Sequence, residues 1–162
     1  MKLIGWYTVK IIVTKDRSKE LIEQLTAVWE KSVRASHLFL TEAEIIEIKK
    51  FIPEALKAVP TLVIALNDKE MPVGFMGTST ETLEMLFLVP DEWGKGRGKR
   101  MIQYCIKELS VREVTVNEEN PQTCGFYEKM GFVSYKRSDY DEQGRPHPII
   151  YMKLNSRLRF ST

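Results

Sequence analysis

A chain of 162 residues has the length of one ordinary domain, enough to bury roughly 70% of the surface its unfolded form exposes. Its 43% hydrophobic and 28% charged residues exclude a disordered or low-complexity chain, so a single domain over 1–162 is expected. Lys and Arg number 24 against 22 Asp and Glu, a net charge of +2 that selects neither nucleic acid nor a membrane as partner. Two cysteines and two histidines argue against a disulfide framework and a metal centre. Charges interrupt every apolar run well short of the ~18 residues of a membrane span, and the chain reads as cytoplasmic.

Residues 6–14 are β-branched and aromatic, which predicts a strand, and Leu21, Ile22, Leu25, Val28, Trp29 and Val33 then recur at helical spacing over 18–33. Thr41 with Glu44 three residues on is a capping-box signature for a second helix, disturbed by Pro53 and restarted through Leu56. The apolar connection at 36–40 is expected to cover something rather than face water. Strands follow at 61–66, 73–79 and 82–89, separated by turn-prone residues, and predict an antiparallel meander. After Pro90 a glycine-rich turn opens a helix carrying Met101, Ile102, Cys105, Ile106 and Leu109, and a short strand at 113–116 completes a strand, helix, strand unit. A last helix from Pro121 stops at Gly131, and 132–138 with 148–154 form a closing hairpin around a polar loop at 139–147.

The most informative stretch is LFLVPDEWGKGRGKRMI, residues 86–102, where a strand runs into glycines at a helix start. Glycines let successive N–H groups converge on a phosphate, and the helix N-terminus adds about half a positive charge. Lys95, Arg97, Lys99 and Arg100 surround it with cations. A Walker loop is excluded because Arg100 follows Gly98-Lys99 where Ser or Thr is required. A Rossmann fingerprint is excluded because the loop follows a meander rather than the first strand of a parallel unit. The plain alternative is a basic helix start with a glycine turn.

This segment resembles motif A of the GNAT N-acetyltransferases: Gln or Arg, two residues, Gly, one residue, Gly or Ala. Here it reads Trp93-Gly94-Lys95-Gly96-Arg97-Gly98, with Trp93 departing from the pattern at the Gln/Arg position. The stretch NPQTCGFYEKMGF, residues 120–132, is similar to the family's motif B, with Asn120 and Tyr127 on the matching positions. The segments WEKSVRASHLFL and GRPHPIIYMKL are similar to small stand-alone bacterial members with unassigned acceptors. The resemblance implies an α/β (α+β) GNAT fold: a mixed, mostly antiparallel sheet of six to seven strands flanked by four helices. It also implies acetyl-CoA as co-substrate, without a metal, and transfer to an amine by direct attack in a ternary complex.

Carried over residue by residue, a β-bulge before the loop directs backbone N–H groups of Phe87, Leu88 and Val89 at the acetyl carbonyl and pantetheine arm. Lys95, Gly96, Arg97, Gly98 and Lys99 then hold the pyrophosphate. Tyr127 is the expected general acid toward sulfur, or alternatively a packed aromatic, and Asn120 contacts CoA or only caps the helix that follows. Glu84 on the approaching strand is a base if alternation places it with Leu86 and Leu88, where partial burial raises its pKa; the alternative is a solvated carboxylate. Trp29, Ser32, His37, Phe39 and Tyr151 are candidates for the acceptor side, His37 being either a base or ligand contact or a helix-end residue. A small-molecule or peptide amine is the implied partner, and assembly is left open, a homodimer included. A non-catalytic acyl-CoA sensor or partner-binding module on the same fold is the competing reading. An RNA or DNA backbone site at the basic cluster is weaker, since no stacking aromatics accompany it.

Overall fold

The structure is a computed structural model that describes residues 9–155; residues 6–8 of the expected first strand lie outside them. The chain runs β1 (Lys10–Thr14), α1 (Lys19–Ser36), α2 (Glu42–Lys49), α3 (Ile52–Ala58), β2 (Thr61–Leu66), β3 (Pro72–Ser79), β4 (Thr82–Leu88), α4 (Arg97–Glu108), β5 (Glu113–Asn117), α5 (Pro121–Lys129), β6 (Phe132–Ser138) and β7 (Ile149–Leu154). Among the described residues, seven strands form one sheet in the order β1-β2-β3-β4-β5-β7-β6. Every neighbouring pair is antiparallel except β4 and β5. Among the described residues no helix is long and apolar enough to cross a membrane.

Local chemistry accounts for the helix boundaries. Ser18 caps α1 by accepting the Leu21 N–H at 3.3 Å, a contact of the kind worth about 1 kcal/mol. Both halves of the capping box form at α2, with Glu44 N–H on Thr41 Oγ1 at 3.1 Å and Thr41 N–H on Glu44 Oε1 at 3.0 Å. The disturbance expected at Pro53 appears as a break between α2 and α3, because proline supplies no N–H and is accepted only in a first turn.

Each sheet face carries its own core. Leu62, Ile64 and Phe75 pack under α1 to α3, with Leu25, Val28, Trp29 and Val33 as the buried stripe of α1. Val63, Ala65, Met76, Val114 and Met152 face the other way, onto Met101, Ile102 and Cys105 of α4 and Tyr127 of α5. The strand alternation that divides them is the period-two geometry of pleated backbone.

The feature that positions the site lies at the single parallel pair. Strands β4 and β5 are in register only at Thr82↔Glu113 and Leu83↔Val114. Beyond that, β4 stays with β3 while β5 stays with β7, so the sheet opens like a V. Glu84 sits at the opening as an extra residue, since Leu83 opposes Thr78 and Met85 opposes Gly77. A bulge of this kind bends its strand and interrupts pairing.

Candidate active site

The V between β4 and β5 continues into a cavity of about 730 Å³, within the range of small-molecule sites. Its floor is β4 from Leu83 to Leu88, and Thr115, Val116 and Asn117 of β5 form one wall. The starts of α4 and α5 close one end, and Ser32, Ser36 and His37 at the end of α1 close the other.

Backbone direction along β4 follows from two bonds. The Val89 N–H donates to the Val73 carbonyl at 2.9 Å, and antiparallel alternation turns the Phe87 N–H toward β3 as well. The Leu88 carbonyl instead accepts Trp93 Nε1–H at 2.7 Å, so Leu86 and Leu88 present their backbone to the gap. The expectation of donors at Phe87, Leu88 and Val89 is therefore corrected to Leu88, with Leu86 added. Phe87 contributes its ring, and Val89 does not line the cavity. The bulge also lies earlier than expected, at Glu84.

At the α4 end, Gly94 and Gly96 adopt φ of +74° and +78°, left-handed conformations that glycine reaches without steric cost. They wind the chain so that α4 begins pointing into the cavity, with Gly96 as its N-cap. The Arg100 N–H bonds the Gly96 carbonyl at 3.1 Å, so the N–H groups of Gly98 and Lys99 precede the helical ladder and remain for an anion. Gly96, Gly98 and Lys99 line the cavity, but Lys95 does not. The Arg97 side chain is not a mobile cation: it is buried and ion-paired with Glu92. Arg100 turns away, its guanidinium donating to the Val9 carbonyl at 3.2 Å. Trp93, at the position where the motif has Gln or Arg, lays its indole along the cavity rim.

At the α5 start, Asn120 lines the cavity and caps the helix, its side-chain oxygen accepting the Thr123 N–H at 3.3 Å. Tyr127 is 5% exposed and lies between Phe126 and Phe132, with ring centroids at 5.3 and 5.7 Å. Burial, reinforced by the nearby Cys105 thiol, pushes its pKa well above the usual tyrosine range. The phenol thus keeps its proton.

On the acceptor side, Glu84 is more exposed than strand alternation implied, because it is the bulged residue. Its carboxyl is still raised above the ordinary range, by partial burial and by the charge of Glu142 in the β6–β7 loop. His37 ends α1, with Nδ1 2.7 Å from Ser36 Oγ and its ring near those of Phe39 and Phe87 at 5.4 and 6.4 Å. Burial lowers its pKa to about 4, so the ring is neutral at physiological pH.

Three residues expected on the acceptor side lie outside the cavity lining. Trp29 is 3% exposed within the core between α1 and the sheet, on the helix stripe that faces the strands. Tyr151 lies against Tyr135 with Lys136 Nζ 4.7 Å above its ring, outside the cavity. Phe39 does not line the cavity either; it backs His37 and meets His147 at 5.3 Å. Sequence reasoning missed His147, which is 9% exposed and clasped by Glu44 at 2.6 Å and Glu119 at 2.9 Å. A histidine flanked by prolines in a polar loop gave no hint of partners so distant in sequence. Ser36 was also missed, though its place beside His37 in SHLFL offered a signal.

This arrangement of splayed strands, a glycine-turned helix start and a buried tyrosine is that of an acetyltransferase site. A family model described as an acetyltransferase (GNAT) domain matches residues 18–154, and the chain belongs to that family of N-acetyltransferases. Among its relatives, the peptidyl-lysine N-acetyltransferase YjaB of Salmonella typhimurium strain LT2 is 38% identical over 128 residues, 79% of this chain and 88% of that protein. YjaB of Escherichia coli K12 is 38% identical over 133 residues, 79% and 86% of the two. The solution structure of apo-form Escherichia coli YjaB matches with a TM-score of 0.78 at 34% identity, covering 89% of this chain and 97% of that one. The PaiA N-acetyltransferase of Thermoplasma acidophilum, solved in complex with coenzyme A, shares the fold at a TM-score of 0.64 and 22% identity, over 89% of this chain and 99% of that one.

Proposed function

We propose that this chain moves the acetyl group of acetyl-CoA directly to the neutral amine of a lysine side chain in a ternary complex. The observation that carries the reading is that one cavity holds both halves of the chemistry. Its α4 end offers phosphate-binding N–H groups, its β4 floor an unpaired strand edge, and Tyr127 a buried phenol. An amide-bearing arm such as pantetheine can pair with the backbone of Leu86 and with the N–H of Leu88, whose carbonyl already accepts Trp93 Nε1–H. Gly96, Gly98 and Lys99 then receive the pyrophosphate. Asn120 commits its side-chain oxygen to the α5 cap, so any contact with CoA falls to its NH₂ group.

The amine nitrogen attacks the thioester carbon, the N–C bond forms and the C–S bond breaks. One amine proton passes to Glu84, directly or through water, and the departing sulfur takes the Tyr127 proton. Backbone N–H on β4 is placed to stabilise the oxyanion. The lysine acceptor is supported by the YjaB relatives, which are named for peptidyl-lysine acetylation, and by Glu84 in the cavity lining with the charge of Glu142 near it, which favour the approach of a cationic side chain.

The test is an acceptor panel followed by thiol release and product mass: a peptide with one internal lysine and a blocked N-terminus, the same peptide with lysine replaced by norleucine and a free N-terminus, and a polyamine. Acetylation of the first alone or most rapidly supports lysine. Acetylation confined to the second or third displaces lysine but keeps the transfer. Tight acetyl-CoA binding with no product from any acceptor contradicts the reading and favours an acyl-CoA sensor.

A further inference from the structure

The end of α1 holds a short hydrogen-bonded series whose protons can be counted. Ser36 Oγ lies 2.7 Å from the Ser32 carbonyl oxygen and 2.7 Å from His37 Nδ1. Contacts this short between electronegative atoms each require a proton, and the hydroxyl carries only one. If that proton turned to Nδ1, two oxygens would face each other at 2.7 Å with nothing between them. Only one assignment fills both contacts: Ser36 donates to Ser32, and Nδ1–H donates to Ser36. Nε2 is then left with its lone pair, and among the described residues it has no hydrogen-bond partner.

His37 lines the same cavity as Glu84 and Tyr127, between the rings of Phe39 and Phe87. We propose that His37 is the acceptor-binding residue of this cleft, its Nε2 taking a hydrogen bond from the attacking amine, and that Ser36 is the positioning residue that fixes its tautomer. The inference rests on the reading of the cleft as an amine acetyltransferase site. It deepens that reading by specifying the reactive form: an uncharged amine on an apolar arm, with one N–H held by Nε2 and the nitrogen lone pair left for the thioester.

His37 does not take the proton. Burial is the sole cause of its lowered pKa, no charged group contributing, so the ring remains a neutral acceptor, and the same surroundings disfavour an ammonium against the free amine. The proton leaves for Glu84 instead.

Two measurements test this on the full chain. The first is a ¹⁵N-histidine long-range spectrum of the wild-type protein with CoA, before and after n-butylamine. Nδ1–H with an unprotonated Nε2 that shifts on adding the amine supports the proposal; a ring protonated on Nε2, or an Nε2 that ignores the amine, overturns it. The second is steady-state kinetics with whichever amine is acetylated. Ser36→Ala should raise the amine KM about 2- to 13-fold, the loss expected for one hydrogen bond, with acetyl-CoA affinity unchanged, and Ser36→Thr should restore it. An unaltered amine KM in Ser36→Ala overturns the proposal while leaving the transferase reading intact. If wild type acetylates no amine, that reading fails by itself and the spectrum still decides the tautomer and amine contact.

Discussion

At neutral pH the buried Tyr127 phenol holds its proton, because burial disfavours the phenolate. For Glu84, partial burial and the charge of Glu142 raise the carboxyl pKa from its ordinary value. Those opposite needs suit an acid and a base. Tyr127→Phe keeps the packing against Phe126 and Phe132 but deletes the proton, so kcat should fall about 100-fold or more while the acetyl-CoA Kd stays unchanged. Turnover like wild type across the pH range would remove Tyr127 from the mechanism. Glu84→Gln removes a titrating group: in wild type kcat/KM falls as pH drops through the raised Glu84 pKa, and in the variant that limb disappears from a lower plateau. A retained limb assigns the base elsewhere. The glycines, Asn120 and Tyr127 were legible in the sequence because each sits in a contiguous motif. The placements of Phe87, Val89, Trp29 and Tyr151 were not, because they depend on which face or edge a residue presents. The bulge at Glu84 resets that count on β4, as no local pattern reveals.

Among elements, the clasp around His147 ties together pieces that the chain keeps far apart. Its Nε2 meets Glu44 in the capping box of α2, and its Nδ1 meets Glu119 just before α5. Burial alone would lower its pKa, but the two carboxylates outweigh that and raise it. A raised histidine stabilises the fold fully below its ordinary pKa of about 6.5 and loses that contribution as pH rises through the folded value. Glu44, held low first by the Thr41 backbone and then by His147, contributes above the ordinary carboxylate range and loses it on acidification. Tm should therefore decline on the alkaline side of the folded His147 pKa, and His147→Ala should flatten that decline. The substitution removes both imidazole contacts, while Glu44 keeps its bond from the Thr41 N–H. A Tm profile with the same alkaline slope in both proteins would show that His147 does not couple these elements. The helices themselves were legible because capping and apolar spacing are local, down to both halves of the Thr41–Glu44 box. The break before Pro53 was legible for the same reason.

At the scale of the molecule, the described strands in the order β1-β2-β3-β4-β5-β7-β6 place the parallel pair β4 and β5 at the middle of the sheet. That junction separates after two residue pairs. The meander, the strand-helix-strand unit and the closing hairpin could be read from periodicity and turn residues. The depth of the V could not, because it depends on long-range pairing between β5 and β7 and on the bulge that turns β4 aside. On the proposed reading acetyl-CoA and an amine occupy the one cavity together, so both should be bound before any bond changes. An initial-rate matrix of acetyl-CoA against a lysine peptide tests this most directly. Intersecting double-reciprocal lines, with no CoA released until peptide is added, are the predicted result; parallel lines with CoA release from acetyl-CoA alone would contradict direct transfer.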